Sequence, residues 1–127
     1  MIEKRDYISN PNFYWSIAEV CMNIKIVTKA WGDENSWTFG SCSSTQKYAP
    51  RREYTQNCCL HPGDHALTCS DSYGDGWHGG YIEIQGQQYC KDFLRGSKKT
   101  TNINVIGISQ QYHAFKICIT FIYFIFY

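Results

Sequence analysis

The densest chemistry in the chain is the run Asp71-Ser72-Tyr73-Gly74-Asp75-Gly76-Trp77-His78-Gly79-Gly80. Four glycines within 74–80 let the backbone enter conformations closed to other residues and approach a ligand closely. Asp71 and Asp75 offer hard carboxylate oxygens, and a glycine-rich loop frees carbonyls as well. Calcium requires such a donor set, with about 6–8 oxygens at roughly 2.3–2.6 Å. The spacing is not that of an EF-hand, because the D-x-[DN]-x-[DN]-G pattern and its late Glu are absent. Two carboxylates are few for tight binding, and Asp33 and Glu34, an acidic pair in an earlier turn, are the candidates to complete the set. The competing role for Asp71 and Asp75 is to cap the turn by accepting hydrogen bonds from backbone amides.

Around the same loop cluster Tyr73, Trp77, His78 and Tyr81, the candidate ligand-binding residues. Exposed aromatics of this kind stack on sugar rings or anchor a protein partner. For Trp31 and Trp37 the expectation is core packing instead. Catalytic arrangements are weaker, and no catalytic residue is assigned. His61 and His65 have the i, i+4 spacing of a helical zinc pair, but Pro62-Gly63 forbids that helix and no Glu follows His61. A metal-dependent hydrolase built on His61, Asp64 and His65 is therefore the alternative function. No G-x-S-x-G occurs. Asp71 with Glu83 would be the carboxylate pair of a glycosidase, in a domain too small for a long substrate cleft. Cys58 or Cys59 beside His61 would be a nucleophile only as a free thiol.

Cysteine usage argues against free thiols. Of seven Cys, six fall between positions 21 and 90: Cys21, Cys42, Cys58, Cys59, Cys69 and Cys90. An even set in so short a span reads as a disulfide framework, and no CxxC pair offers the spacing of a zinc site. The pairing stays open, except that the adjacent Cys58 and Cys59 are expected to reach different partners.

The elements that position these groups read as short strands. Residues 23–28 alternate, with Ile24 and Ile26 on one face. Trp37 and Phe39 recur at period two after the turn Gly32-Asp33-Glu34-Asn35. Residues 40–52 form a polar loop. Residues 53–60 form a strand, His61-Pro62-Gly63-Asp64 a turn, and 66–71 a strand with Leu67, Cys69 and Asp71 on one face. Residues 81–84 and 88–92 are further strands, joined at Gly86, and the pairs Arg51-Arg52 and Lys98-Lys99 are assigned to solvated loops. Nowhere in this region is there a helical period. Many short strands with turn signals indicate an all-β fold, an antiparallel β-sandwich or jelly roll stapled by disulfides.

Three motifs in order, Glu34-Asn35-Ser36-Trp37-Thr38-Phe39, Cys59-Leu60-His61-Pro62-Gly63-Asp64-His65-Ala66-Leu67 and Asp71 to Trp77, resemble a secreted β-sandwich module found in extracellular proteins of marine invertebrates and in bacterial secreted multidomain proteins. The family pattern is E-x-S-W-x-L/F, C-L-x-x-G-x-Y-x-L/F and D-S-Y-G-D-G-W. The chain departs from it at His65-Ala66, where the family has an aromatic residue. The resemblance spans residues 21–93 and implies an extracellular location and an accessory or adhesive role beside other secreted domains. Calcium is inferred from the chemistry of the loop and not from the resemblance.

Composition bounds the rest. The 127 residues allow one domain. Twelve Lys and Arg against eleven Asp and Glu leave a net charge of +1, with no basic footprint for nucleic acid and no stripe for an anionic membrane. The first twenty residues carry no apolar signal core, so the expectation is a missing leader or a piece of a longer secreted protein. The final run ICITFIYFIFY, residues 117–127, is too short to span a bilayer, which takes about 20 residues. The readings open for it are the start of a truncated transmembrane helix, a buried final strand or sequence foreign to the mature protein, and it holds the seventh cysteine, Cys118. The organisation expected is an N-terminal arm over 1–18, a Cys-rich sandwich over 19–107 and an apolar tail over 108–127. The function expected is an extracellular, non-catalytic binding or adhesion module with a calcium ion in the 71–80 loop and a glycan or extracellular protein as partner. A purely structural matrix protein is a further alternative.

Overall fold

The computed structural model describes residues 19–107. The expectations for the N-terminal arm, the apolar tail and Cys118 lie outside the described residues.

Eight strands follow one another: β1 (Val20–Val27), β2 (Asn35–Phe39), β3 (Cys42–Ser43), β4 (Glu53–Leu60), β5 (Gly63–Asp71), β6 (Tyr81–Ile84), β7 (Gln87–Tyr89) and β8 (Lys98–Val105). A 3₁₀ turn, Gly32–Glu34, precedes β2. The strands form two antiparallel four-stranded sheets, ordered β4-β1-β6-β7 and β3-β2-β5-β8. The expected all-β architecture is therefore the observed one.

Period-two patterning dictates which faces meet. Ile24 and Ile26 of β1 with Ile82 and Ile84 of β6 line the inner face of one sheet, and Trp37, Phe39, Leu67 and Val105 line the other. All are essentially inaccessible to water, so the two inner faces share one core. Tyr48, from the loop after β3, enters that core and accepts a 2.8 Å hydrogen bond from Trp37 Nε1, which satisfies both polar groups.

Three disulfides staple the sheets. Cys42–Cys58 joins β3 to β4, and Cys69–Cys90 joins β5 to the segment after β7, so both bridge the two layers. Cys21–Cys59 links opposed residues of β1 and β4 within one sheet. The adjacent Cys58 and Cys59 thus do reach different partners. Because strand side chains alternate, one points inward to the other sheet and the other outward.

Four readings are corrected. Lys98-Lys99 opens β8 and is not loop. β8 pairs β5 over the full run from Gly63↔Val105 to Ser70↔Lys98, and Ile103 and Val105 supply the inward alternation that a Lys pair hides. The strand expected over 88–92 ends at Tyr89, because Cys90 takes a positive φ of 64° and turns the chain out of the ladder. The polar loop over 40–52 contains the short strand β3. Trp31 is not core: it is 59% exposed, in the left-handed region at φ 61°, at the entry to the 3₁₀ turn.

Candidate functional site

The inward column of β2 reads Asn35, Trp37, Phe39, and that of β5 reads Leu67, Cys69, Asp71. In register they pair Phe39↔Leu67, Trp37↔Cys69 and Asn35↔Asp71. Two apolar columns therefore end, at the same level, in a buried polar pair. The 71–80 loop leaves β5 at Asp71, and the 3₁₀ turn enters β2 at Asn35, so both arrive at this end of the sandwich.

Asp71 organises its loop. Its Oδ2 accepts hydrogen bonds from the amides of Gly74 at 2.7 Å, Asp75 at 2.7 Å and Gly76 at 3.2 Å. The turn-capping role is thus real. It uses only one of the two carboxylate oxygens, for Asp71 Oδ1 is buried without a partner. Gly76 adopts φ +83°, and a Cβ there would lie 2.4 Å from the Phe93 carbonyl oxygen, so this position needs glycine on both counts.

Three segments are tied together here by backbone hydrogen bonds. Ser72 N–H donates to the Glu34 carbonyl at 3.0 Å, Asp71 N–H to Ser97 at 2.9 Å, and Gly96 N–H to Gly74 at 3.0 Å. Trp77 N–H donates to Phe93 at 2.7 Å, and Asp75 and Gly96 form a parallel bridge. The result gathers three acids from two loops. A carboxylate oxygen from each of Glu34, Asp71 and Asp75 lies within 4.8 Å of the others. Two oxygens on opposite sides of one calcium ion would be separated by roughly 4.6–5.2 Å, so this spacing suits a common ion.

Glu34 Oε2 and Asp75 Oδ1, like Asp71 Oδ1, are shielded from water and lack a hydrogen bond. His78 Nε2 approaches Asp75 Oδ1 to 3.2 Å, an ion pair only when the imidazole is protonated. Burial, then the charges of Asp71, Asp75 and Asp33, push the Glu34 carboxyl above its ordinary value, with His78 opposing. Uncompensated buried carboxylates are costly unless paired or ligating a cation. Of the four acids expected to hold a metal, the structure brings together Glu34, Asp71 and Asp75. Asp33 is exposed and stands outside the cluster.

The expected ligand-binding residues divide. Tyr73 is 77% exposed and His78 is exposed. Tyr81 is half-buried, with Lys91 Nζ 5.8 Å from its ring centroid. Trp77 is corrected to a core residue: its side chain is fully buried, and its indole N–H donates to the Ser70 carbonyl at 2.9 Å. Two rim residues escaped the sequence reading. Trp31 leads into Glu34, whose amide donates to the Trp31 carbonyl at 3.1 Å, and Leu94, 60% exposed, belongs to the segment that packs on Gly76. Asn35 was missed as well. It is 4% exposed, with neither amide atom partnered. Its only sequence signal was its position two residues before the inward Trp37.

The residues of the hydrolase alternative are engaged elsewhere. His65 Nε2 contacts the His61 carbonyl at 2.7 Å, and Asp64 Oδ1 accepts from Asn104 Nδ2 at 3.0 Å. Among the described residues they form no metal-ligating group. Glu83 alternates with the inward Ile82 and Ile84, so it lies on the outer face of β6 while Asp71 points inward. Cys58 and Cys59 are both in disulfides.

No protein-family profile matches the chain, and no curated protein or solved structure is detectably similar to it. The class of protein is thus defined by its own geometry: a small antiparallel β-sandwich with three internal disulfides, which indicate an oxidising compartment. Among the described residues no helix is long and apolar enough to cross a membrane.

Proposed function

We propose that the chain is an extracellular, non-catalytic binding module in which Glu34, Asp71 and Asp75 hold a calcium ion that locks a ligand-binding rim. The observation that carries this reading is the convergence of three carboxylates, in which Glu34 Oε2 and Asp71 Oδ1 are buried without a partner and Asp75 Oδ1 meets only His78 Nε2, at 3.2 Å. The enclosed, all-oxygen character of the cluster favours calcium over magnesium, which sheds its waters reluctantly. Because the three carboxylates come from two loops, the ion acts as a clamp between the 31–35 and 71–80 segments.

The partner is met by what the clamp positions. Three of the four large exposed apolar side chains among the described residues, Trp31, Tyr73 and Leu94, sit on the three segments that converge at the cluster. Trp31 and Tyr73 each stand one residue from, or bonded to, the Glu34–Ser72 contact, so fixing that contact fixes the backbone that presents both rings. Two exposed aromatic rings held in this way suit stacking on a glycan. The resemblance of 71–77 to secreted accessory modules agrees with this role, and with a place in a larger secreted protein.

Binding of the full chain to an array of immobilised glycans, in calcium and in EDTA, tests the reading. Calcium-dependent glycan binding that Trp31→Ala and Tyr73→Ala abolish, with unchanged melting temperatures, is expected. Calcium binding with no glycan retained would turn the rim towards a protein partner. No calcium binding at all would leave a disulfide-stapled structural protein.

A further inference from the structure

We propose that Asn35 is a fourth side-chain ligand of the same cation, its carboxamide oxygen standing beside the Glu34, Asp71 and Asp75 carboxylates. This rests on the calcium reading of the cluster. Asn35 occupies an inward position of β2, in column with Trp37 and Phe39, where an apolar side chain of the same size would pack without leaving a polar atom unpaired. It is nevertheless an amide, 4% exposed, with both Oδ1 and Nδ2 lacking partners. Such orphaned groups are rare and costly in folded proteins.

Its position points at the cluster. Asn35 follows Glu34 in the chain and stands directly opposite Asp71 in the β2–β5 register. Opposed residues of an antiparallel pair share a face, with Cβ atoms about 4.5–5.5 Å apart. Asp71 is 2% exposed, and its Oδ1 is likewise unpartnered. A cation between them gives the two orphaned oxygens, Asn35 Oδ1 and Asp71 Oδ1, a common partner. Three carboxylates already exceed the charge of one calcium ion, so a neutral oxygen adds coordination without adding repulsion. The Asn35 carbonyl oxygen also leaves its amide nitrogen free to donate to a neighbouring carboxylate, an orientation that a single rotation of the amide selects.

Calorimetric titration of the oxidised full chain with calcium chloride, beside melting curves in EDTA and in calcium, tests the assignment with Asn35→Leu and Asn35→Asp. Asn35→Leu is expected to melt higher than wild type in EDTA, because a buried unpaired amide is gone, yet to bind calcium at least about tenfold more weakly. Asn35→Asp is expected to melt lower in EDTA, from a fourth buried charge, and to gain more from calcium than wild type does. Wild-type affinity in Asn35→Leu would overturn the assignment and leave the amide as a site for buried water alone. Should Asn35→Leu fail to fold, a calcium-induced rise in Asn35→Asp no larger than in wild type would overturn it equally. Absence of calcium binding in wild type itself would overturn the reading of the whole cluster, an outcome distinct from the loss of Asn35 alone.

Discussion

Asp71 and Gly76 meet where the loop turns: the Asp71 carboxylate accepts the Gly76 amide at 3.2 Å, and Gly76 holds a positive φ of 83° against the Phe93 carbonyl. The loop fold and the acidic cluster therefore share one residue. One carboxylate oxygen builds the loop, and the other is buried beside Glu34 and Asp75 without a partner.

Replacing Asp71 should separate these roles. Asp71→Ala orphans three amides and is expected to destabilise the domain by about 3 kcal/mol in EDTA and to abolish the calcium response. Asp75→Asn keeps the loop, since Asp75 contributes its amide to Asp71, and should lose the calcium response with a much smaller loss in EDTA. Chemical denaturation of both variants, with and without calcium, gives the comparison.

Gly76→Ala places a methyl group 2.4 Å from the Phe93 carbonyl at a φ of +83°. The two segments must separate, and the expected cost is at least about 2 kcal/mol. Because the 90–97 segment carries Leu94 and pairs with Asp75, the variant should weaken calcium binding as well, read by the same titration.

Glu34 sets a pH dependence. Its carboxyl is raised by burial and by neighbouring acids above 4.5. A carboxyl whose folded value exceeds its unfolded one stabilises the domain while protonated, and that stability is lost as pH rises from 4.5 through the folded value. In EDTA, wild type should therefore lose stability relative to Glu34→Gln across that window. In calcium the sign is expected to reverse, because an ion bound by the cluster would require the carboxylate. Melting temperature against pH for the two proteins, in both media, checks the reversal.

The disulfides differ in exposure. Cys69 and Cys90 are buried between the layers, whereas Cys21 is exposed and its bridge lies within one sheet. Gentle reduction followed by alkylation and peptide mapping should label Cys21 and Cys59 first. Removing Cys69–Cys90 by double Ala substitution is expected to cost about 3 kcal/mol or more, from a closed loop of 21 residues and the packing lost with it.

Much of this was legible from period and turn chemistry. Residues 53–60 and 81–84 became β4 and β6, and period two put Leu67, Cys69 and Asp71 on one face, which proved to be the inward one. What failed depended on tertiary contacts or on backbone conformations that residue types alone do not specify. Trp77, in a glycine-rich loop, looked exposed, yet its side chain joins the core and its indole N–H donates to the Ser70 carbonyl. Trp31 looked like core because tryptophan is large and apolar, yet the left-handed turn at its own backbone throws it outward. Asn35 read as an ordinary turn residue, and its meaning emerged from a register partner 36 positions away, shown by Asn35↔Asp71. Lys98-Lys99 hid β8 because an edge strand carries its charges outward, and Lys99 pairs there with Asp92.

Calcium titration of the oxidised protein by calorimetry, repeated on Asp75→Asn, tests the cation site most directly. One calcium ion bound per chain, with binding lost in the variant and a melting temperature that climbs with free calcium in wild type alone, is the predicted result. Identical melting curves in EDTA and calcium, with no heat of binding in wild type, would contradict it and leave Glu34, Asp71 and Asp75 as parts of a hydrogen-bonded turn.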